Sequence, residues 1–392
     1  MEYLGLELPS FQKGSEALAR LLEVKLSPKE VEKLTEKFGK ERIAERQGQL
    51  ERFQKGELKP LYRQAPNSAV ISVDGGRCQI REQEAGPGVH EPQWIETKVA
   101  HVATFTHVEH AVDPRPEPPR CYLDRERVPR LVEELKGARA KLPGPSSKTV
   151  GAHERKRRRK KKDPRRPRPK VRTVVATTQD VEHFGALVAV AAFLRNFYRA
   201  GHKAFLGDGS PWIWGLRETH FPDFTGILDF LHLLSKLYGA ACAVHREDGE
   251  KRWKLYVQLI RLAWSGQTQG LLEVLRRHSQ RLGPPLKDAR EEDPRKVLQL
   301  ALAYVEQNRG RMDYPRYRRE GLPIHSGYVE SLIKQVNRRV KGTEKFWLRE
   351  GLEAMLEGRA AYLSDDGRAE SFWEHRPAAA RAVGRNRFRE AA

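Results

Sequence analysis

The order of its apolar runs restricts what this chain can fold into more than any other feature. Ala69-Val70-Ile71-Ser72-Val73-Asp74-Gly75-Gly76 is a β-branched run that ends in a carboxylate and two glycines, which predicts a strand. Residues 93–105, with Trp94, Ile95, Val99, Val102 and Phe105, predict a second strand, and residues 171–178 a third. Residues 185–200 start apolar nearly all round, as a buried helix requires. Ala204-Phe205-Leu206-Gly207-Asp208-Gly209-Ser210-Pro211 reads as a short strand, a turn and a new helix, with Ser210 as N-cap and Pro211 in the first turn. A fifth strand over 224–230 ends at Asp229, with His232 just beyond.

Strand, strand, strand, helix, strand, helix, strand is an α/β order that fits a ribonuclease H-like mixed sheet with flanking helices. First and fourth strands are neighbours in that arrangement, so Asp74 and Asp208 would lie side by side. A third carboxylate arrives late in the chain. Gly321 and Pro323 form a loop that delivers Ser326, a good N-cap residue, to a helix with Val329, Leu332, Ile333, Val336 and Val340 on one face. Glu330, Lys334, Arg338 and Lys341 share a second face. Alone, that face reads as solvated surface with one Glu–Lys pair, worth about 0.3 kcal/mol.

The expected organisation is a helical region at 1–62, a first part of the catalytic core at 63–232, and an all-helical insertion at 233–320 before the last catalytic helix. A last part of the core follows at 321–376, then a basic flexible tail at 377–392. Near the start, Leu18, Leu21 and Leu22 form a short apolar face, and Ser27-Pro28-Lys29-Glu30 has capping-box spacing. The two helices suit a DNA-binding helix-turn-helix, and equally any small helical hairpin. Residues 39–56 read as a solvated linker helix.

Charge narrows the partners. The formal net charge is +21, which favours a polyanion, nucleic acid before membrane. Residues 153–172 hold thirteen Lys and Arg against Glu154 and Asp163. Like charge broken by Pro164, Pro167 and Pro169 builds no core, so an insertion over about 114–170 is expected to be disordered when free, apart from a short helix near 128–135. Arg157, Arg158, Arg159, Lys160 and Lys161 would serve as an electrostatic arm for phosphates; the bland reading is a solvated insertion. No apolar run approaches a membrane span, and the N-terminus lacks a secretory pattern. Cys78, Cys121 and Cys242 are scattered without CxxC spacing, so neither a disulfide framework nor a zinc site is expected.

Asp74, Asp208 and Glu330 form a candidate carboxylate triad. Hard oxygen donors of this kind suit Mg²⁺ or Mn²⁺, and two such ions would support in-line phosphoryl displacement. Without metal, three clustered carboxylates repel one another. His232 is an auxiliary candidate, for a phosphate contact or proton transfer, and is equally read as a satisfied helix start. Trp212 could stack on an unpaired base or pack behind the Asp208 turn. Lys334, Arg338, Arg339 and Lys341 are phosphate-contact candidates on the Glu330 helix.

These residues carry a resemblance. SVDGG at 72–76, FLGDGSPWIW at 205–214, ILDFLH at 227–232, YRREGLPIHSGYVES at 317–331, KGTEKFW at 341–347 and EAMLEGRAAYLSDDGRAESFW at 353–373 resemble insertion-sequence transposases of the ISKra type. The resemblance implies a ribonuclease H-like fold with Asp74, Asp208 and Glu330 as ligands of two Mg²⁺ or Mn²⁺ ions. It further implies double-stranded DNA as partner, a homodimer or larger assembly on it, and a place in the prokaryotic cytoplasm at the nucleoid. Two features depart from the family pattern: His325 stands where Gly is usual, and the Cys-rich zinc-binding N-terminal part is missing. A nuclease that cuts without joining, and a non-catalytic DNA-binding descendant, remain the alternatives.

Overall fold

The β-branched run around Val70 pairs along both edges, which puts it at the centre of a sheet. In the computed structural model, which describes residues 1–81, 93–136, 166–342 and 345–375, five strands are ordered β3-β2-β1-β4-β5. They are β1 (Ser68–Ile80), β2 (Gln93–Phe105), β3 (Pro169–Thr177), β4 (His202–Gly207) and β5 (Thr225–Leu228). β1 is antiparallel to β2 and β2 to β3, whereas β1 with β4 and β4 with β5 are parallel. The chain is therefore α/β with a mixed sheet.

Helices follow the same order. α1 (Glu2–Glu7), α2 (Phe11–Leu22) and α3 (Pro28–Gln54) precede the sheet, and α4 (Arg127–Lys136) lies between β2 and β3. α5 (Val181–Leu194) and α6 (Pro211–His220) are the crossovers that parallel pairing demands. Five helices come next: α7 (Phe230–Val244), α8 (Gly249–Trp264), α9 (Thr268–Leu282), α10 (Pro294–Asn308) and α11 (Tyr314–Arg319). α12 (Gly327–Val340), α13 (Arg349–Leu363) and α14 (Arg368–His375) complete the described chain.

Strand alternation divides the core. On β3, Val175 joins a cluster with Val188, Phe205 and Leu234, while Val174 and Ala176 join Leu332, Val336 and Met355 on the other face. Each face of the sheet is thereby covered by helices. Among the described residues, no helix is long and apolar enough to cross a membrane.

Four sequence expectations change. β1 does not stop at Gly75-Gly76 but runs to Ile80, because β2 pairs with it throughout, Gly76 opposite Thr97. Residues 39–56 are not a separate solvated linker: α3 is continuous from Pro28 to Gln54, and its Arg42 and Leu50 are buried. Leu21 and Leu22 are not on the packed face with Leu18; they are 75% and 62% exposed. The short helix expected near 128–135 is α4, but the stretch between Pro114 and it is packed, not a disordered insertion. Val128 and Val132 of α4 are fully buried, Arg115 O accepts from Trp264 Nε1 at 2.8 Å, and Tyr122 O accepts from the Tyr256 hydroxyl at 2.9 Å. Arg157, Arg158, Arg159, Lys160, Lys161 and the tail at 377–392 lie outside the described residues.

The N-terminal helices are locked onto the last helices by buried charge. Arg46 contacts Glu353 at 2.9 Å and Glu357 at 2.8 Å, and Arg42 contacts Glu357 at 3.4 Å. Glu353 also accepts from the Thr178 N–H at 2.7 Å and the Thr177 hydroxyl at 2.5 Å. Burial alone would raise the Glu353 carboxyl; the threonine bonds and Arg46 outweigh it and hold it below its ordinary value. Glu353→Ala leaves buried Arg46 with Glu357 alone and takes the acceptor from the Thr177 hydroxyl and the Thr178 N–H, and the expected cost is about 3 kcal/mol in chemical denaturation. A cost under about 1 kcal/mol, the range of exposed pairs, would show the network to be solvated.

Candidate active site

Pairing of β1 with β4 ends at Ser72 opposite Leu206. Asp74 and Asp208 each lie two residues beyond that pair, where β4 ends and β1 continues beside β2 alone. Local hydrogen bonds fix both carboxylates: Asp74 Oδ1 accepts from the Gly75 N–H at 2.7 Å, and Asp208 Oδ1 accepts from the Ser210 N–H at 2.8 Å. Tyr304 of α10 donates its hydroxyl to the Asp208 carbonyl at 2.5 Å. Gly209 sits at φ +96, and a Cβ there would come within 2.5 Å of the Tyr304 ring, so only glycine suits the turn. The helical insertion thus buttresses the strand ends, and Tyr314 adds a bond to Leu228 O at 3.0 Å.

Asp229 follows β5 as the N-cap of α7 and is fully buried. It accepts from the His232 N–H at 3.1 Å, from His232 Nδ1 at 2.5 Å and from the Ser326 N–H at 2.7 Å. Phe230 N–H donates to Ile324 O at 2.9 Å, so the loop before α12 is docked onto the start of α7. Ser326 stands at the N-cap position of α12 without capping it: its hydroxyl donates to Glu330 Oε1 at 3.3 Å. Ligand atoms of Asp229, His232 and Glu330 all lie within 4.8 Å of one another. Asp74, Asp208 and Glu330 do not form so tight a set among the described residues; they share one electrostatic neighbourhood. Asp229 is the residue of this cluster that the sequence reading left as a strand end. Its signal was present, since a carboxylate three residues before His232 has N-cap spacing.

Burial raises two of these carboxyls. Burial pushes Asp74 from 3.8 up to about 7; the Asp208 and Glu330 charges add to the rise, and His232 opposes it. Burial raises Glu330 as well, helped by Asp229. Burial alone would lower His232, but the bond and charge of Asp229, with Asp208 and Asp74 behind, raise it to about 9. Asp229 itself is held below its ordinary value by His232 and Ser326, which outweigh its burial. Asp229 thereby biases His232 toward the cation, a form that suits donation to a phosphate oxygen. Asp229, His232 and Glu330 lie close enough together to hold a metal ion, and carboxylate oxygens such as those of Asp74, Asp208 and Glu330 are donors of the kind a hard divalent cation takes.

The cationic candidates separate. Lys334 and Arg338 are exposed on α12, with Lys334 3.7 Å from Glu134, and Lys341 is exposed just past the helix. Arg339 is not available to a phosphate. It is 2% exposed, donates to Gly5 O at 2.7 Å and lies over the Phe11 ring at 4.3 Å. Trp212 is half-buried, 6.2 Å from the Phe184 ring and beside Gly75, and Trp214 is buried. His325 receives Arg166, at the foot of the basic stretch, at 2.5 Å, which ties that stretch to the loop before Glu330. Burial pushes His325 down to about 4, so it accepts as a neutral ring.

No family model matches the chain, and no curated protein matches it.

Proposed function

We propose that this chain is a divalent-metal-dependent DNA transposase on a ribonuclease H-like fold, cutting at the ends of its element and joining the freed 3′-hydroxyl to target DNA. One observation carries the reading. Just beyond the last β1–β4 and β4–β5 pairs, in a sheet ordered β3-β2-β1-β4-β5, Asp74, Asp208 and Asp229 share one electrostatic neighbourhood with Glu330 of a late helix. Ligands of open α/β sheets bind at such strand ends. The net charge of +21 supports DNA as the substrate class.

Two divalent ions held by Asp74, Asp208 and Glu330, with Asp229 beside them, would activate the attacking oxygen and stabilise the leaving one. The chain's own groups do the positioning. Ser326 orients Glu330, Tyr304 fixes the Asp208 turn, and His232 presents a cation to a phosphate oxygen. Lys334, Arg338 and Lys341 extend positive charge along α12 for the flanking backbone.

The test is to supply labelled duplex from the DNA flanking its own coding region, intact and pre-cut with a free 3′-hydroxyl, with Mg²⁺ and a target plasmid. Cleavage and joined products are expected. Cleavage without joining of pre-cut ends would reduce the reading to a nuclease, and neither product would end it.

The arm has its own measurement. Deleting residues 154–163 is expected to weaken duplex binding and flatten its salt dependence, by about 0.9 in the log–log slope for each phosphate the arm neutralises. An unchanged slope would make the stretch a solvated insertion.

A further inference from the structure

A second cluster of metal-ligating side chains lies at the opposite end of the sheet. His202 opens β4 beside Ser68, and His107 and Glu109 follow the end of β2. Ligand atoms of His107, Glu109 and His202 all lie within 4.8 Å of one another. Glu109 Oε1 is 3.1 Å from His202 Nε2 and 3.5 Å from His107 Nε2. A tetrahedral ion with bonds of about 2.0–2.1 Å separates its ligands by about 3.4 Å, so both spacings already fit one.

The imidazoles of His107 and His202 stack with centroids 3.7 Å apart, so they must swing apart to share a tetrahedral ion. One observation points to a ligand. The ring nitrogens of His107 are buried, and neither has a properly formed hydrogen bond, the Glu109 oxygen at 3.5 Å being its nearest carboxylate. A buried ring left so is costly unless something else satisfies it.

We propose that His107, Glu109 and His202 form a transition-metal site of the zinc class, with water completing the coordination. Two imidazoles and one carboxylate suit Zn²⁺ over Mg²⁺, whose preference is for oxygen alone. The site is distinct from the carboxylates of the strand ends. Its consequence runs through Val108, between two of the ligands. The Val108 carbonyl packs where a Cβ on Gly321 (φ +63) would come within 2.4 Å, and the His110 N–H donates to Arg319 O at 2.8 Å. A bound ion therefore pins the 107–110 loop between β4 and the segment that leads to Ser326 and Glu330. No Cys pattern announced a zinc site because the ligands are histidines and a glutamate brought together across some ninety residues by the β2–β1–β4 pairing.

The test is a Co²⁺ titration of the full-length untagged chain in excess Mg²⁺, followed by visible d–d absorption, with melting temperature against Zn²⁺ as second readout. One equivalent of Co²⁺ and a Zn²⁺-dependent rise in melting temperature are expected. His202→Gln should abolish both, and Glu109→Gln, whose side chain is 63% exposed and leaves the fold intact, should bind at least about tenfold more weakly. His232→Gln, at the other end of the sheet, should bind Co²⁺ like the parent chain. Absence of binding in the parent chain overturns the proposal, and so does unchanged binding in Glu109→Gln.

Discussion

Glu330→Gln is expected to lower both DNA cleavage and joining by about a thousandfold while leaving the fold intact. Gln keeps the length, the helix propensity and an oxygen that accepts from the Ser326 hydroxyl, now at 3.3 Å from Glu330. The residue is on the polar side of α12, away from the buried Val329, Leu332, Val336 and Val340. What disappears is the negative charge that a divalent ion needs. If metal positioning supplies about 4 kcal/mol of transition-state stabilisation, removing it corresponds to about three powers of ten in rate. Duplex affinity should hold or rise slightly, since one phosphate-repelling charge has gone. Glu273→Gln, an exposed carboxylate on α9, is the control and should change neither rate nor affinity. Near-normal cleavage by Glu330→Gln with Mg²⁺ would make Glu330 an ordinary surface residue and remove the active site as drawn.

The sheet and two of its site carboxylates were legible because strand alternation and the Asp208-Gly209-Ser210-Pro211 turn are local signals. So was the buried stripe of α12, whose period of apolar residues is unambiguous. Long-range packing decided what was not legible. Arg339 looks like its neighbour Arg338 in sequence, but one helical step of rotation puts it against Phe11 and Gly5 O. The charged face of α3 reads as solvated until α13 arrives with Glu353 and Glu357 to pair with Arg42 and Arg46. That pairing gives part of the EAMLEGRAAYLSDDGRAESFW stretch a structural explanation, for Glu353, Glu357 and Arg359 are all buried. Asp229 was visible as an N-cap. That it also holds the Ser326 N–H, ninety-seven residues later, was beyond local reading.

Metal-free protein is expected to become less stable by several kcal/mol as pH rises from 6 to 9, most of it through His232; about 1 kcal/mol of it is the Asp74 share that Asp74→Asn is expected to recover, because most of the Asp74 range, from 3.8 to about 7, lies below pH 6. The sign follows from which state holds protons more tightly. Asp74 is raised from 3.8 to about 7 in the fold, so its favourable contribution is complete below its unfolded value and is lost as pH rises through 7. The difference bounds its effect at about 4 kcal/mol. His232, raised from 6.5 to about 9, contributes stability below its unfolded value that is lost as pH rises through 9, bounded at about 3 kcal/mol. The two are not additive, because the His232 cation lowers Asp74 and the Asp74 charge raises His232. Falling net charge works the other way, since a chain at +21 repels itself less as pH climbs. That long-range term is screened by salt, whereas the carboxylate cluster is mostly buried, so the local effect should win at physiological ionic strength. Melting curves in chelator at pH 6, 7, 8 and 9 test this, with Asp74→Asn as the reference that cannot ionise. Added Mg²⁺ should restore more stability at pH 8 than at pH 6, because deprotonated Asp74 is the form that binds it. A parent chain and an Asp74→Asn variant with parallel profiles would mean that Asp74 titrates as an exposed carboxylate, outside any shared cluster.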